Sequence, residues 1–191
     1  MLEINGRKIG RAFRPYIVAE LSANHGGSID RAKASIKYAK DVGVDAVKIQ
    51  TYTPDTMTIN SSKPDFQITD GIWKGYKLYD LYAEAFTPYE WHEELFRYAE
   101  QVEITLFSTP FDESAVNLLE DLSTPAYKIA SFEITDIPLI QEVASRGKPL
   151  LISTGMSSLE EIGEALEVVR QQNNDKLLLF HCISSYPAPT E

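Results

Sequence analysis

Cysteine is almost missing from this chain of 191 residues: Cys182 stands alone, so an intrachain disulfide framework is excluded, and a lone thiol fits a reducing cytoplasm. Long apolar runs are missing too. No stretch approaches a membrane span, and the opening MLEINGRKIGR has no secretory apolar region, so the expected localisation is cytoplasmic. Positive charge is scarce: 18 Lys and Arg face 28 Asp and Glu, a formal net charge of −10. That balance argues against non-specific nucleic-acid binding. An anionic ligand would have to be held by a local concentration of cations and N–H groups, against the global field. No G-x-G-x-x-G follows the first predicted strand, which weakens a dinucleotide-binding reading.

The rest of the composition is that of an ordinary soluble domain with a large core, at 43% hydrophobic and 24% charged residues. Along the chain, short apolar strands alternate with amphipathic helices. Strands are predicted at 16–20, 44–49, 104–107, 126–129, 149–153 and 177–181. The first helix is capped by Ser28 or Asp30 and stopped by Gly43. Thr87-Pro88-Tyr89-Glu90 and Ser157-Ser158-Leu159-Glu160 read as capping boxes. The second of these opens a helix with Leu159, Ile162, Leu166 and Val169 on one face. Residues 1–14, centred on Asn5-Gly6, read as a hairpin outside the main pattern. The interval from Tyr52 to Phe86 is too long for a plain connection, and Lys77–Ala85 within it is helix-like.

Alternation of this kind implies a parallel sheet covered by helices, either an open doubly wound sheet or a (β/α)8 TIM barrel. A barrel typically takes about 250 residues. The expectation is therefore an incomplete TIM barrel over residues 15–191, with about six βα units present and the remainder lying beyond it. Bare strand edges and helix faces would then favour self-association, as a homodimer or otherwise.

The reactive face of a barrel is the carboxyl end of its strands. Reading off those ends gives Glu20, Lys48 and Gln50, Ser108 and Thr109, Lys128 and Ser131, Ser153 and Thr154, and His181 and Ser184. Two lysines, several hydroxyl donors and helix N-termini suit a small phosphate or carboxylate, or one molecule bearing both. Glu20 is the candidate base or water-positioning group.

Plainer readings compete. A buried lysine commonly pairs with a carboxylate such as Glu133 or Glu20. Ser108 and Thr109 precede Pro110 and could only shape a turn. His92, beside Glu93 and Glu94, reads as a surface residue; His25 lies in a loop where ligand contact and structural use are equally open; His181 alone does not make a metal site. A Schiff-base lysine is a further alternative.

Six ordered blocks, AELSANHGG, AVKIQTYTPDT, FSTPFD, PAYKIASFEITDIPLI, KPLLISTGM and HCISSYPAP, resemble the sialic acid synthase family from about Tyr16 onward. Ser22 and QTYTPDT look most like its pseudaminic acid synthase branch, since the neuraminate branch usually carries glycine where Ser22 stands. The resemblance implies a TIM barrel followed by an antifreeze-like domain. It implies a transferase that condenses phosphoenolpyruvate with an N-acetylated amino sugar of the 6-deoxy-AltdiNAc type, releasing phosphate. N-acetylneuraminate and legionaminic acid synthesis are alternatives within the family, and a non-catalytic anion-binding fragment is another. By the same resemblance, phosphoenolpyruvate is held by Lys48, Thr109, Lys128, Ser131, Ser153 and Ser184, and the sugar by Gln50 and Tyr186. Ser184 stands where the neuraminate branch often has asparagine. Glu20 matches the family's active-site glutamate. A divalent metal, Mn2+ or Mg2+, is implied for the family, with its histidine ligands in later strands than those present here, so none is expected in this chain. The second domain's arginine, which reaches the partner subunit's sugar site, likewise lies beyond it. The chain alone is therefore expected to have little or no activity.

Overall fold

In the computed structural model, which describes residues 2–183, the strands lie side by side in chain order. The sheet runs β3 (Val18–Ser22), β4 (Ala46–Thr51), β5 (Thr105–Pro110), β6 (Tyr127–Ile129), β7 (Leu150–Ser153) and β8 (Leu177–Phe180). Every neighbouring pair is parallel. Each strand is thus added to the same edge, the construction of a barrel wall, here six strands long with β3 and β8 as its ends among the described residues. The hairpin β1 (Leu2–Ile4) and β2 (Arg7–Ile9) is a separate antiparallel pair.

Five helices alternate with the strands: α1 (Ile29–Asp41), α4 (Tyr89–Gln101), α5 (Glu113–Asp121), α6 (Ile137–Ser145) and α7 (Leu159–Gln171). Ser28, not Asp30, caps α1, accepting from the Arg31 N–H, and Gly43 at φ +80° takes the left-handed turn after it. The interval from Tyr52 to Phe86 carries α2 (Pro54–Met57), a 3-10 turn (Pro64–Phe66) and α3 (Leu78–Ala85).

Strand periodicity separates two apolar layers. On the outer face, Val47, Ile49 and Leu106 pack with Ile36 and Ala32 of α1 and Leu95 and Ala99 of α4. Farther along, Tyr127, Ile129, Leu150 and Ile152 pack with Ile140 and Val143 of α6 and Val169 of α7. On the inner face, Ala46, Phe107, Ala126 and Leu151 meet Ile4, with Val18, Leu178 and Phe180 alongside. Ile4 is fully buried there, so the hairpin is not peripheral: it is wedged into the inner layer. Asp45 ties this region together, accepting from the Ile17 N–H at 2.8 Å, from Arg14 Nη2 at 2.7 Å and from Arg7 Nε at 3.3 Å.

Several local expectations are corrected. Thr87 does not cap α4; Pro88 precedes it without a side-chain cap, and the buried Thr87 hydroxyl instead meets His25 Nε2 at 3.2 Å. The second capping box is Ser158 with Glu161, one residue later than predicted, and Leu159 is exposed rather than on the buried face of α7. His92 is not on the surface. It is completely buried, one helical turn from Leu95 and two from Ala99 on the same face of α4.

Candidate active site

Two residues beyond an inner apolar residue, a polar one stands on each of the first five strands of the wall. Val18 is followed on the inner face by Glu20, Ala46 by Lys48, Phe107 by Thr109, Ala126 by Lys128 and Leu151 by Ser153. The period of two that makes an apolar floor from one row of side chains makes a polar layer from the next, toward the carboxyl ends of the strands.

Each lysine in that layer is held by a hydroxyl from the following strand. Lys48 Nζ donates to Thr109 Oγ1 at 3.0 Å, from β4 to β5. Lys128 Nζ donates to Ser153 Oγ at 2.5 Å, from β6 to β7, and to its neighbour's carbonyl, Ile129 O, at 2.6 Å. Lys48 also pairs with Glu20 Oε2 at 2.6 Å. Burial pushes the Lys128 ammonium down to about 8, and the positive charge of Lys48 pushes it the same way. Its ammonium also lies 5.7 Å from the centre of the Phe180 ring.

Glu133, offered by the sequence as a partner for Lys128, makes no ion pair with it among the described residues. Its Oε2 is buried without a hydrogen-bond partner, and burial raises its carboxyl above the usual range while the Lys128 charge opposes the shift. The Tyr82 hydroxyl on α3 is raised by burial and by the charge of Glu133, which places part of the 52–86 interval beside this carboxyl. Tyr82 is edge-on to Tyr52, and Tyr52 to Phe111, an aromatic run on the same side. Sequence reasoning gave Glu133 only a structural role; the signal that could have singled it out is its place two residues past Ser131 in a block that ends a strand.

The remaining candidates divide. Gln50 is half-buried and accepts from Ser22 Oγ at 2.7 Å. Ser131 opens the 3-10 turn Phe132–Thr135 just past β6. Thr154 donates to Phe180 O at 2.8 Å, a link to β8. Cys182 lies 3.3 Å from Ser153 Oγ. His181 is exposed. Ser184 and Tyr186 lie outside the described residues.

Ser108 does not join the polar layer. Between inward-facing Phe107 and Thr109 it points outward, fully buried, donating to Ile49 O at 3.1 Å and sitting 2.6 Å from Thr51 Oγ1. Thr51 in turn sits 2.8 Å from His92 Nε2. His92 Nδ1 faces Pro88 O at 3.0 Å, and a carbonyl only accepts, so Nδ1 carries the proton and Nε2 receives the Thr51 hydroxyl. This buried chain fastens α4 to the tips of β4 and β5, next to Gln50 and Thr109. It also bridges strands where Pro110 brings no N–H to the ladder opposite Thr51. His25, left open by the sequence, is buried against Thr87 and edge-on to Trp91.

Among the described residues there is no group of three or more His, Cys, Asp or Glu side chains that could hold a metal ion. No helix among them is long and apolar enough to cross a membrane.

A family model, that of the NeuB family, matches residues 35–191. The chain belongs to the NeuB family. It is 47% identical over 92% of its length to the pseudaminic acid synthase of Campylobacter jejuni, covering 51% of that protein. It is 36% identical over 97% of its length to the N,N'-diacetyllegionaminic acid synthase of Legionella pneumophila, covering 54% of it. Among solved structures it is similar to the spore coat polysaccharide biosynthesis protein SpsE of Bacillus subtilis, with a TM-score of 0.80 and 32% identity, covering 98% of this chain and 49% of that one. This NeuB family chain thus spans about half the length of the curated relatives it matches.

Proposed function

We propose that this chain carries the phosphoenolpyruvate-holding part of a nonulosonic acid synthase of the pseudaminic acid branch. The observation that supports it best is the pair of lysine–hydroxyl couples on one inner face, Lys48 with Thr109 and Lys128 with Ser153. Two cations with oriented donors suit a small molecule with a phosphate and a carboxylate. The higher identity to the C. jejuni pseudaminic acid synthase than to the L. pneumophila legionaminic acid synthase supports the branch, and with it a 6-deoxy-AltdiNAc sugar.

In this reading Lys48, Thr109, Lys128, Ser131, Ser153 and Ser184 hold phosphoenolpyruvate, and Gln50 and Tyr186 meet the sugar. Carbon 3 of the enol phosphate forms a bond to the aldehyde carbon of the open-chain sugar, whose oxygen takes up a proton. Water adds at carbon 2 and releases a proton, and the tetrahedral species expels inorganic phosphate as the C–O bond breaks. The ammonium groups of Lys48 and Lys128 offset the anionic charge throughout. Glu20 orients or deprotonates the water, or relays a proton to the aldehyde oxygen. The divalent metal proposed for the family finds no ligand group among the described residues, and no step here is routed through it.

One observation favours a second reading: an amine brought down to about 8 at Lys128 is suited to imine formation with a carbonyl substrate. Borohydride trapping in the presence of pyruvate tests it, and an absent adduct removes it. The main reading is tested by calorimetric titration of phosphoenolpyruvate against the chain and its Lys48→Ala and Lys128→Ala variants. Binding lost by at least tenfold in each variant supports the pocket; unchanged binding in both, with the variants folded, overturns it. Self-association is part of the same proposal, and a monodisperse monomer in sedimentation contradicts that part.

A further inference from the structure

Ser22 ends β3 in a conformation that its residue type disfavours. Its φ is +51°, in the left-handed region, and the pairing of β3 with β4 shifts register between Glu20 and Ser22. Of the other non-glycine residues with positive φ, Glu103, Ser123 and Asn173 come just after helices, where a left-handed residue completes the turn, while Asn5 sits in the hairpin turn and Met156 in the loop after β7. Ser22 has no helix to terminate. A side chain kept in this region within a strand costs free energy, and such strain persists where surrounding contacts enforce it.

The positive φ belongs to a turn that the Asn24 N–H and Nδ2 close on Leu21 O at 2.9 and 3.1 Å, and the Ser22 side chain makes one contact of its own. The Ser22 hydroxyl donates to Gln50 Oε1 at 2.7 Å, across from β3 to β4. The register shift is what brings it there: Glu20 pairs with Lys48, but the next pairing is Ser22 with Ile49, so the strand gains a residue and Ser22 reaches the neighbour of Ile49. An amide has two distinct ends. When the oxygen end accepts from Ser22, the NH2 end is left for another partner, and Gln50 stands on the face of β4 that carries Lys48.

We infer that Ser22 is a positioning residue: it turns the Gln50 amide so that the NH2 group is presented to the inner opening, as a donor for the carbonyl oxygen of an acetamido group on the sugar. The inference deepens the proposed function and rests on its assignment of Gln50 to the sugar side. Ser22 itself touches no substrate. The strained turn and the hydrogen bond act together, and removing either one separates stability from recognition.

Three variants of the full chain test this. Ser22→Gly relieves the backbone, because glycine adopts positive φ freely, and deletes the hydroxyl. Ser22→Ala deletes the hydroxyl and keeps the strain. The expected result is a melting temperature for Ser22→Gly no lower than that of the unaltered chain. In Ser22→Gly and Ser22→Ala the side-chain amide signal of Gln50, read by 15N NMR relaxation, becomes more mobile, and binding of 6-deoxy-AltdiNAc weakens about tenfold, while phosphoenolpyruvate binding stays within twofold. Ser22→Thr, which keeps a hydroxyl, restores part of the Gln50 order. A merely structural role would lower the melting temperature and leave Gln50 order unchanged in the folded protein. Equal order of the Gln50 amide in all chains overturns the inference. If the unaltered chain takes up no sugar while Gln50 still loosens in the variants, the sugar-side reading falls and the pinning of Gln50 by Ser22 stands.

Discussion

Glu20 and Lys48 are partners in the β3–β4 register, and their side chains close on each other, with Nζ 2.6 Å from Oε2. The glutamate is half-exposed and the lysine largely buried, at 48% and 13% of their side-chain surfaces. An incoming anion must therefore compete with a carboxylate for the same ammonium. Half-exposed ion pairs are weak, about 0–1 kcal/mol. Glu20→Gln is expected to tighten phosphoenolpyruvate binding by roughly two- to fivefold, read by calorimetry. Unchanged or weaker binding would mean that Glu20 does not compete for Lys48.

Lys128 sets a pH dependence of its own. Its ammonium is depressed to about 8 by burial and by Lys48, so between there and the ordinary lysine value the folded chain binds fewer protons than the unfolded one. Stability contributed by this residue therefore rises with pH through that window. Anion binding runs the other way, because it needs the ammonium. Phosphoenolpyruvate affinity is expected to fall above pH 8, and binding there should take up a proton, measurable by calorimetry in buffers of different ionisation enthalpy. Lys128→Met should remove the proton uptake.

His92 gives the opposite limb. Burial pushes its imidazole down to about 4, with the Pro88 and Tyr89 backbone and the charge of Glu90 opposing only in part. The unfolded chain takes up a proton near 6.5 that the folded chain refuses. Stability is thus fully present above that value and is lost as pH falls toward 4, by on the order of 3 kcal/mol. Urea melts from pH 7 to 4 should show this slope, and His92→Gln, which can still accept from Thr51, should flatten it. The same slope in the variant would assign the acid sensitivity to other groups, of which His25, also lowered by burial, is one.

Asp45 carries the hairpin and the start of β4. Its side chain is only 6% exposed and is satisfied by Ile17 N–H, Arg14 and Arg7. Asp45→Ala leaves the Ile17 N–H and two partly solvated guanidinium groups without this partner and is expected to cost about 1–2 kcal/mol in a urea melt. A loss below 0.5 kcal/mol, within the range of an ordinary surface change, would contradict the clasp.

The strands were legible because apolar runs bounded by turns carry their own signal, and the lysines stood out because a charge in such a run is anomalous. The inward or outward sense of each residue is equally available from the period of two, yet a reading by strand ends alone places Ser108 on the rim together with Thr109. For His92 the adjacent glutamates outweighed the spacing to Leu95 and Ala99, which does mark the buried face. Thr87 was misread for a different reason. Its hydroxyl is taken by His25, 62 residues away, and no local pattern announces such a partner. The bulge at Ser22 is likewise a tertiary fact, since it depends on how β3 meets β4.

The central claim is that the two ammonium groups act on one bound molecule, and the Nζ signals of the lysines in 15N NMR report on that directly. On titration with phosphoenolpyruvate, the signals of Lys48 and Lys128, assigned through their Ala and Met variants, should shift together along one saturation curve. Movement of only one of them, or two curves with different midpoints, would contradict a shared pocket.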